Sequence, residues 1–478
     1  MAPRIRHDTN YWTELEVPMI PLGYQTTGTL EDGKRVSELY LDDEGRQKIV
    51  KARLPEARTK RGRRVGVSNT VLIIGKTGGG KSVQRKVYEY MVHFRRPIID
   101  LDWNGDDSYW CAFPNSEPEN LPPMTPPGGI EGDYLFYPVV QNRASGLTKR
   151  TRKSFERIVM PYIGKYSEQQ LQVLGFSPGA AMYFVNVLLR YGPFEDWDSL
   201  SEFIENFPTP RTAWRIMSLQ DRGKWQLRHK KRYLPNDTMN DQSKESIKKV
   251  LPDLIAKGVF ALDKKREYDF TKAFTGYTEK QLLKFKEDGI EPAWHPTNMF
   301  FSFLDKQVAR VEIYHFFEVI ERLRRWFPES PRFLILIEEA HKMFKEEGQK
   351  EEKVQEAIED FVLICRKLGV MLALVMPTVN PKVLSDMVLG DVKEVIAGRL
   401  GRADAWRIAR EFTKNSQAAA VLATVLMSLE YERYQRLEDG AWLPGRREFC
   451  YISSDKGFWW TYRPFNAPCE IHREVVDT

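Results

Sequence analysis

The chain has 478 residues, of which 42% are hydrophobic and 29% are charged, and its mean hydropathy is -0.48. This composition is typical of a soluble globular protein with roughly two or three domains, and it excludes a disordered or membrane-embedded chain. Lys and Arg total 72 against 66 Asp and Glu, a surplus too small to require or exclude a nucleic-acid partner.

The predicted elements begin with an extended segment at residues 1–64, where short apolar pieces are broken by glycine, proline and charge. Its first residues lack the apolar core of a secretion signal, so the protein is expected to stay in the cytoplasm. No apolar run along the chain reaches the roughly 20 residues that a membrane helix needs. The cysteines show no C-x-x-C spacing, which argues against a zinc site and a disulfide framework; they are Cys111, Cys365, Cys450 and Cys469.

Residues 65–149 are predicted to form the first part of an α/β core. A strand, a glycine loop, a helix and two further strands are expected at residues 70–74, 75–82, 82–93, 97–101 and 134–140. A proline- and glycine-rich connector at residues 114–129 separates the last two strands.

A largely helical insertion is predicted at residues 150–295, and the second part of the core at residues 296–440. The expected helices and strands of the second part lie at residues 308–326, 333–337, 338–367, 370–375, 394–397 and 404–432. Residues 441–478 are predicted to form a tail with a hairpin-like pair of strands at residues 448–452 and 458–463.

The glycine loop is the strongest functional signal in the sequence. It reads Gly-Lys-Thr-Gly-Gly-Gly-Lys-Ser, and glycines let the main chain wrap closely round a phosphate at a helix N-terminus. Lys81 is expected to reach the β- and γ-phosphates of ATP, and the Ser82 hydroxyl is expected to bind Mg²⁺. The predicted nucleotide-binding residues are Gly75, Lys76, Thr77, Gly78, Gly79, Gly80, Lys81, Ser82 and Val83.

Two adjacent acids follow the apolar run at residues 333–337. Ligands of open α/β sheets bind at the carboxyl ends of the strands. Phosphoryl transfer needs charge neutralisation and a positioned water, so we assign Glu338 to Mg²⁺ and Glu339 to the general base. Taken alone, two such acids also fit a helix start, where the dipole favours carboxylates. The P-loop in the same chain favours the magnesium site, and His341 is interpreted as part of the helix start.

Four sequence blocks occur in a fixed order along the predicted core. They are the glycine loop, Leu-Asp-Trp-Asn-Gly-Asp at residues 101–106, Glu-Glu-Ala-His at residues 338–341, and Arg-Lys-Leu-Gly-Val at residues 366–370. Together these blocks resemble the HerA–FtsK superfamily of DNA-pumping ATPases, and above all its HerA-like branch. The resemblance implies a RecA-like fold, a homo-hexameric ring with double-stranded DNA in its channel, and ATP at the subunit interfaces. A nuclease or portal protein would be a partner of such a ring.

The sequence departs from the family pattern at three places. Glu338 stands where the family usually has Asp, which keeps the carboxylate and adds one methylene of reach. Val375 and Met376 stand where relatives carry a polar Gln before a proline, so neither can sense the γ-phosphate. The segment before the core is too short for the N-terminal β-barrel of HerA-like helicases, which is consistent with a virus- or plasmid-borne relative in another role.

An ATP site between subunits also needs a cation that stabilises negative charge in the transition state. The candidates are Arg366, Arg399 and Arg402, and each fits a surface or salt-bridge role equally well. Asp102 fits either an orienting role at the P-loop or a simple turn. The predicted catalytic residues are Lys81, Glu339, Arg366 and Arg399.

Basic clusters at residues 149–153 and 228–232 could face a channel and bind DNA phosphates without reading sequence. They fit a solvated surface as well. Two functions are therefore carried forward. The first is an ATP-hydrolysing ring motor that translocates double-stranded DNA in repair, packaging or transfer. The alternative is a nucleotide-gated assembly or scaffold component with slow or no hydrolysis, which the apolar residues at the sensor position would favour.

Overall fold

A sheet of parallel strands lies at the centre of the molecule. The computed structural model describes residues 19–102, 111, 114, 129–137, 166–212, 238–256, 269–344, 360–431 and 435–469, with short gaps inside these ranges. The strands are β1 (Met19–Glu31), β2 (Lys34–Leu39), β3 (Ile49–Arg53), β4 (Arg58–Lys60), β5 (Arg63–Val65), β6 (Thr70–Ile74), β7 (Ile98–Asp102), β8 (Asp133–Tyr137), β9 (Met299–Phe303), β10 (Leu334–Glu338), β11 (Met371–Met376), β12 (Val392–Ala397), β13 (Gln435–Arg436), β14 (Trp442–Leu443), β15 (Phe449–Ser453) and β16 (Phe458–Pro464).

Helices cover the sheet and make up most of the described residues between β8 and β9. They are α1 (Lys81–His93), α2 (Glu168–Val173), α3 (Pro178–Tyr183), α4 (Trp197–Asn206), α5 (Asp241–Ala256), α6 (Phe270–Thr275), α7 (Glu279–Glu287), α8 (Lys306–Trp326), α9 (His341–Phe344), α10 (Asp386–Asp391), α11 (Arg402–Phe412) and α12 (Ser416–Ser428). Among the residues that the structure describes, no helix is both long enough and apolar enough to cross a membrane.

Seven neighbouring strands run parallel, in the order β12, β6, β11, β10, β7, β9 and β8. The sheet continues beyond β12 with the antiparallel strands β15, β16 and β1, and both β2 and β3 pair with β1. Strand β11 lies between β6 and β10, the strands that precede the glycine loop and the acidic pair. The predicted α/β fold class, a RecA-like sheet with helices around it, is confirmed.

The central strands are buried on both faces, which explains their continuous apolar sequences. Successive side chains of a strand point to opposite faces of the sheet. In β6, Leu72 and Ile74 belong to one hydrophobic core, while Val71 and Ile73 belong to the other. The two cores hold the parallel strands between layers of helices, so the carboxyl ends of the strands are fixed relative to one another.

The segment between β8 and β9 packs onto the sheet through aromatic rings. Phe270 of α6 lies 4.6 Å from Phe316 of α8 between ring centroids, and Phe301 of β9 lies 4.5 Å from the same ring. Strand β9 is absent from the sequence prediction. Its run Met-Phe-Phe-Ser-Phe is short and does not alternate, so only its parallel pairing with β7 and β8 identifies it as a strand.

The N-terminal segment, predicted to be extended, contributes β1, β2 and β3 to the edge of the main sheet. Strand β1 pairs with the C-terminal strand β16, with Gly23 opposite Pro464. The N-terminal strands β1–β3 and the C-terminal strands β15 and β16 therefore form one antiparallel extension of the parallel sheet. The predicted domain boundaries stay predictions.

Replacing Gly23 with alanine should disrupt this junction of the two chain ends. A Cβ at Gly23 would stand 2.0 Å from the main-chain oxygen of Arg463, which cannot rotate away. Gly23→Ala is expected to lower the free energy of unfolding by about 1–3 kcal/mol or more. Gly390→Ala on α10 is the matched control, because the nearest atom to its Cβ would be 3.7 Å away and alanine favours a helix. Denaturant unfolding that finds the two variants equally stable would contradict the packing described at Gly23.

Candidate nucleotide-binding site

The glycine loop forms a tight turn between β6 and α1 that only glycine can adopt at several positions. Gly78 and Gly80 have φ angles of 77° and 81°, in the left-handed region. A Cβ at Gly79 would lie 2.7 Å from the main-chain oxygen of Lys76. Gly80 is the N-cap of α1 and has no side chain to occupy the first N–H groups of the helix. Those N–H groups and the helix dipole are therefore available to an anion.

Lys81 is the first residue of α1 and lies folded over the turn. Its side chain is largely buried, and its Nζ donates a hydrogen bond to the main-chain oxygen of Lys76 at 3.3 Å. Burial lowers the pKa of Lys81 from its ordinary value, and the charges of Glu339 and Glu338 oppose that shift. The amine of Lys81 is therefore close enough to Glu338 and Glu339 to interact electrostatically with both carboxylates.

Ser82 of α1 and Glu338 of β10 are in contact, although β11 lies between β10 and β6, the strand that precedes the glycine loop. The Ser82 hydroxyl donates to Oε1 of Glu338 at 3.4 Å. Glu338 is the last residue of β10 and only 4% exposed. The structure therefore brings together the two oxygen groups predicted to hold Mg²⁺, an ion that is usually bound by one or two protein oxygens together with substrate phosphates.

Asp102 lies beside this pair of residues. It ends β7 and is in register with Glu338 of β10, and its side chain is fully buried. Its place at the carboxyl edge of the sheet next to Glu338 is compatible with the predicted orienting role, which stays a prediction. In the structure Asp102 belongs to the strand itself, before any turn begins.

Glu339 follows β10 in a strained backbone conformation. Its φ is 52°, and it is the only non-glycine residue in the described part of the chain with a positive φ. Its carboxylate lies 3.2 Å from Nδ1 of His341, the residue at which α9 begins. Left-handed backbone at a non-glycine residue costs about 1–2 kcal/mol and is found mainly where function over-determines the geometry.

Arg85 is a central residue of the site that sequence reasoning missed. It lies one turn after Ser82 on α1, its side chain is completely buried, and its Nη1 forms an ion pair with Oε2 of Glu338. The same guanidinium lies 3.4 Å from Asp100 and 3.8 Å from Glu89. The signal was present in the sequence as an i, i+4 Arg–Glu pair on the helix that follows the P-loop.

The acids around Arg85 are held in a low-dielectric environment. Burial raises the pKa of Glu89 and of Asp100 well above its usual range. One guanidinium therefore does not have to balance three full negative charges. Its contact with Glu338 fixes that carboxylate in its orientation towards Ser82.

The structure also places two of the three arginine candidates. Arg399 is exposed, its Nε donates to the main-chain oxygen of Met427 at 3.0 Å, and its own main-chain oxygen accepts from the N–H of Lys76 at 3.4 Å. Arg402 is exposed at the start of α11. Arg366 lies outside the described residues, as do the basic clusters at 149–153 and 228–232. Their roles as arginine finger or DNA contact stay predictions.

The residues at the predicted sensor position are apolar and fully buried. Val375 and Met376 both show 0% exposure at the end of β11. The first hydroxyl beyond them, on Thr378, donates to Asp404 at 2.8 Å.

Together the fold and these contacts define a nucleotide-binding site of the P-loop class. The glycine turn leaves space that a Cβ would fill, and Lys81, Ser82 and Glu338 supply one amine, one hydroxyl and one carboxylate at that turn. This set of donors fits ATP with Mg²⁺, the amine and turn holding phosphate and the two oxygens holding the metal.

No family model matches the sequence, and no curated protein matches it. Solved structures similar to the chain include the bacterial conjugative coupling protein TrwB, at 14% identity and a TM-score of 0.41 over 96% of this chain and 99% of that chain. Another is a TrwB structure in complex with ADP and Mg²⁺, at 15% identity and a TM-score of 0.40 over 96% of both chains. A third is the genome packaging NTPase B204 from Sulfolobus turreted icosahedral virus 2, at 16% identity and a TM-score of 0.24 over 36% of this chain and 68% of that chain. Likenesses this distant do not establish a shared function, so the function proposed below rests on the chain's own residues.

Removing the Arg85 guanidinium should strongly destabilise the protein. Arg85→Leu leaves the carboxyls of Glu89, Asp100 and Glu338 buried without their cation, a change expected to cost about 3–5 kcal/mol. Arg85 lowers the pKa of Glu89 and of Asp100 against the effect of burial, so its removal raises both pKa values further. The folded variant then binds more protons than the folded wild type, and the stability lost grows as pH rises. The loss should therefore be smaller near about pH 5 than near about pH 8.

Urea unfolding at the two pH values measures this effect. Arg325→Leu is the control, because Arg325 is an exposed arginine whose side chain is 71% accessible. A loss of stability in Arg85→Leu that is no larger than in the control, or that does not change with pH, would show that Arg85 does not neutralise the buried acids.

Proposed function

We propose that the protein hydrolyses ATP at the P-loop with the help of Mg²⁺. The observation that carries the proposal is the 3.4 Å contact between Ser82 Oγ and Glu338 Oε1, beside the buried amine of Lys81. A P-loop and a carboxylate at the end of a neighbouring strand are the two halves of a phosphoryl-transfer site, and they lie far apart in the sequence.

Each residue of the site has a part in this reaction. The turn and Lys81 bind the phosphates and place positive charge where negative charge develops. Ser82 and Glu338 would hold Mg²⁺, which when bound neutralises phosphate charge. Glu339 accepts a proton from the attacking water as general base, and its side chain is 21% exposed, which gives that water access to it.

The variant Glu339→Gln separates binding from chemistry. The amide keeps the size of the side chain and loses the basic oxygen, so ATP affinity should stay within about twofold while turnover falls by about 100-fold or more. Affinity is measured by equilibrium binding and turnover by phosphate release. Lys81→Ala serves as the reference for loss of binding. Turnover at the wild-type rate in Glu339→Gln would show that the base has been assigned to the wrong residue.

We further propose that ATP hydrolysis drives translocation of double-stranded DNA by a homo-hexameric ring. The support is the order of the four motif blocks, which resembles the HerA–FtsK superfamily, together with the RecA-like order of the strands β6, β7, β10 and β11 that adjoin these blocks. DNA would be bound through its phosphates without reading sequence. A nuclease or portal protein remains a proposed partner of the ring.

Linear duplex DNA is expected to stimulate ATP turnover several-fold, and the stimulation should fall as salt is raised because phosphate contacts are screened. The comparison is phosphate release with and without duplex, on protein whose assembly is measured by mass photometry. Absence of stimulation in an assembled ring would count against a motor. Slow turnover independent of DNA, with a mass that depends on nucleotide, would favour the scaffold function, which the apolar Val375 and Met376 make the second candidate.

A further inference from the structure

The P-loop is in contact with a C-terminal segment that the proposed reaction has not used. Tyr431 and Arg447 form an isolated antiparallel bridge, and the short strands β13 and β14 pair with each other in the segment between them. The hydroxyl of Tyr431 donates to the main-chain oxygen of Thr77 at 3.1 Å. On the other side of the bridge, a Cβ at Gly80 would stand 2.9 Å from Nη1 of Arg447 and 3.7 Å from its Cζ. The guanidinium therefore lies against the glycine that starts α1.

The electrostatics of this position point to an anion. Gly80 is the N-cap of α1, where the helix dipole is positive, and the first turn of α1 contains no acidic residue. Lys81 adds a second positive charge directly after it. The guanidinium of Arg447 adds a further cationic group beside this turn, within reach of an anion bound at the start of α1. Guanidinium groups bind phosphate oxygens through two parallel N–H donors, so the phosphate chain of a nucleotide at the P-loop is the anion that fits.

The arginine is held in place by its neighbour in the sequence. Glu448 is 1% exposed and accepts hydrogen bonds from Thr26 Oγ1 at 2.7 Å and from Arg35 Nε at 2.8 Å. It also accepts from the main-chain N–H of Glu430 at 3.2 Å, while its own N–H donates to the oxygen of Glu430 at 3.1 Å. Both sides of the bridge between Tyr431 and Arg447 are thereby fixed to the N-terminal strands β1 and β2.

The packing of β1 makes room for this anchor. A Cβ at Gly28 would lie 2.1 Å from Cζ of Arg35, so only glycine leaves space for the guanidinium that binds Glu448. The side chains of Arg35 and Glu448 are 8% and 0% exposed. A buried, hydrogen-bonded ion pair of this kind sets geometry even where it adds little net stability. The buried pair of Arg35 and Glu448 thus fixes the main chain that places Arg447 beside Gly80.

We propose that Arg447 is a nucleotide-binding residue that contacts the phosphate chain from the same subunit, and that Glu448 and Tyr431 are positioning residues that hold it at the glycine turn. The ligand class is the polyphosphate of a nucleoside triphosphate or diphosphate. The inference deepens the proposed function and rests on nucleotide binding at the P-loop. It gives the N-terminal strands a role in the site, because they hold the segment that carries Arg447.

Equilibrium displacement of a fluorescent ATP analogue from the full chain tests the proposal, with ATP and inorganic tripolyphosphate as competitors in the presence of Mg²⁺. Arg447→Ala should weaken both competitors by about 10- to 100-fold, the effect of losing a charge-assisted hydrogen bond. Equal losses for the two competitors would place the contact on the phosphates, since tripolyphosphate has no base or sugar. Arg447→Lys should recover part of the affinity, because the charge remains.

Two further variants show how the arginine acts. Tyr431→Phe should weaken both competitors by about 2- to 10-fold, since it removes one neutral hydrogen bond to the turn. Arg410→Ala is the matched control, because Arg410 is an exposed arginine that lies over Trp406 on α11, and it should leave both affinities unchanged. Should Arg447→Ala fail to fold, Arg447→Gln removes the charge while keeping an N–H donor and takes its place in the comparison.

The outcomes separate this proposal from the one on which it rests. If the wild-type chain binds no ATP, or Lys81→Ala binds it as well as wild type, the P-loop assignment itself is wrong. If wild type binds and Lys81→Ala does not, the assignment stands. In that case an Arg447→Ala variant that binds ATP and tripolyphosphate as tightly as wild type, or more tightly, overturns the role of Arg447.

Discussion

The buried contact between Arg85 and Glu338 is the constraint on which the rest of the site depends. Glu338 sits at the end of β10, while the P-loop follows β6, and β11 lies between these strands. A carboxylate there must reach across one strand spacing to face Ser82 at 3.4 Å. Arg85 lies on α1, the helix that follows the P-loop, and forms an ion pair with this carboxylate. Helix α1, which follows the glycine turn, therefore also orients Glu338, the acid proposed to hold Mg²⁺, and one guanidinium fixes the two halves of the site.

The antiparallel extension of the sheet bears on the site in a different way. Strands β1, β16 and β15 continue the parallel sheet beyond β12, next to the P-loop strand β6. The buried pair of Arg35 and Glu448 joins the N-terminal strands to the residue that enters β15. Arg447 precedes Glu448 and lies against Gly80. The N-terminal strands therefore contact the glycine turn through the segment that carries Arg447. The nucleotide site is thus bounded by the parallel core on one side and by this extension on the other.

Sequence patterns predicted the parts of this structure that depend on local physics. The runs at β6, β10 and β11 are continuous and apolar because both of their faces are buried, and the glycine turn is recognisable because it needs left-handed backbone. Strand β9, Arg85 and the anchor at Glu448 were missed. Each depends on a contact between residues that are distant in the chain, such as the hydrogen bond between Arg35 and Glu448, which are 413 positions apart. The sequence of a polar helix does not show whether an arginine on it is solvated or buried. Only the tertiary packing of the helix determines which of the two it is.

The two adjacent acids at the end of β10 show how position in the fold assigns different chemistry to identical side chains. Glu338 remains in the strand, its side chain is 5% exposed, and it forms an ion pair with Arg85. Such a fixed oxygen donor suits the proposed metal site. Glu339 lies in a left-handed turn, its side chain is 21% exposed, and its neighbour is His341. A carboxylate with access to water, next to one imidazole and outside the buried ion pairs of Arg85, suits the proposed general base. Paired groups whose environments differ in this way divide acid–base and electrostatic work between them, and the turn after β10 creates that difference within two consecutive residues.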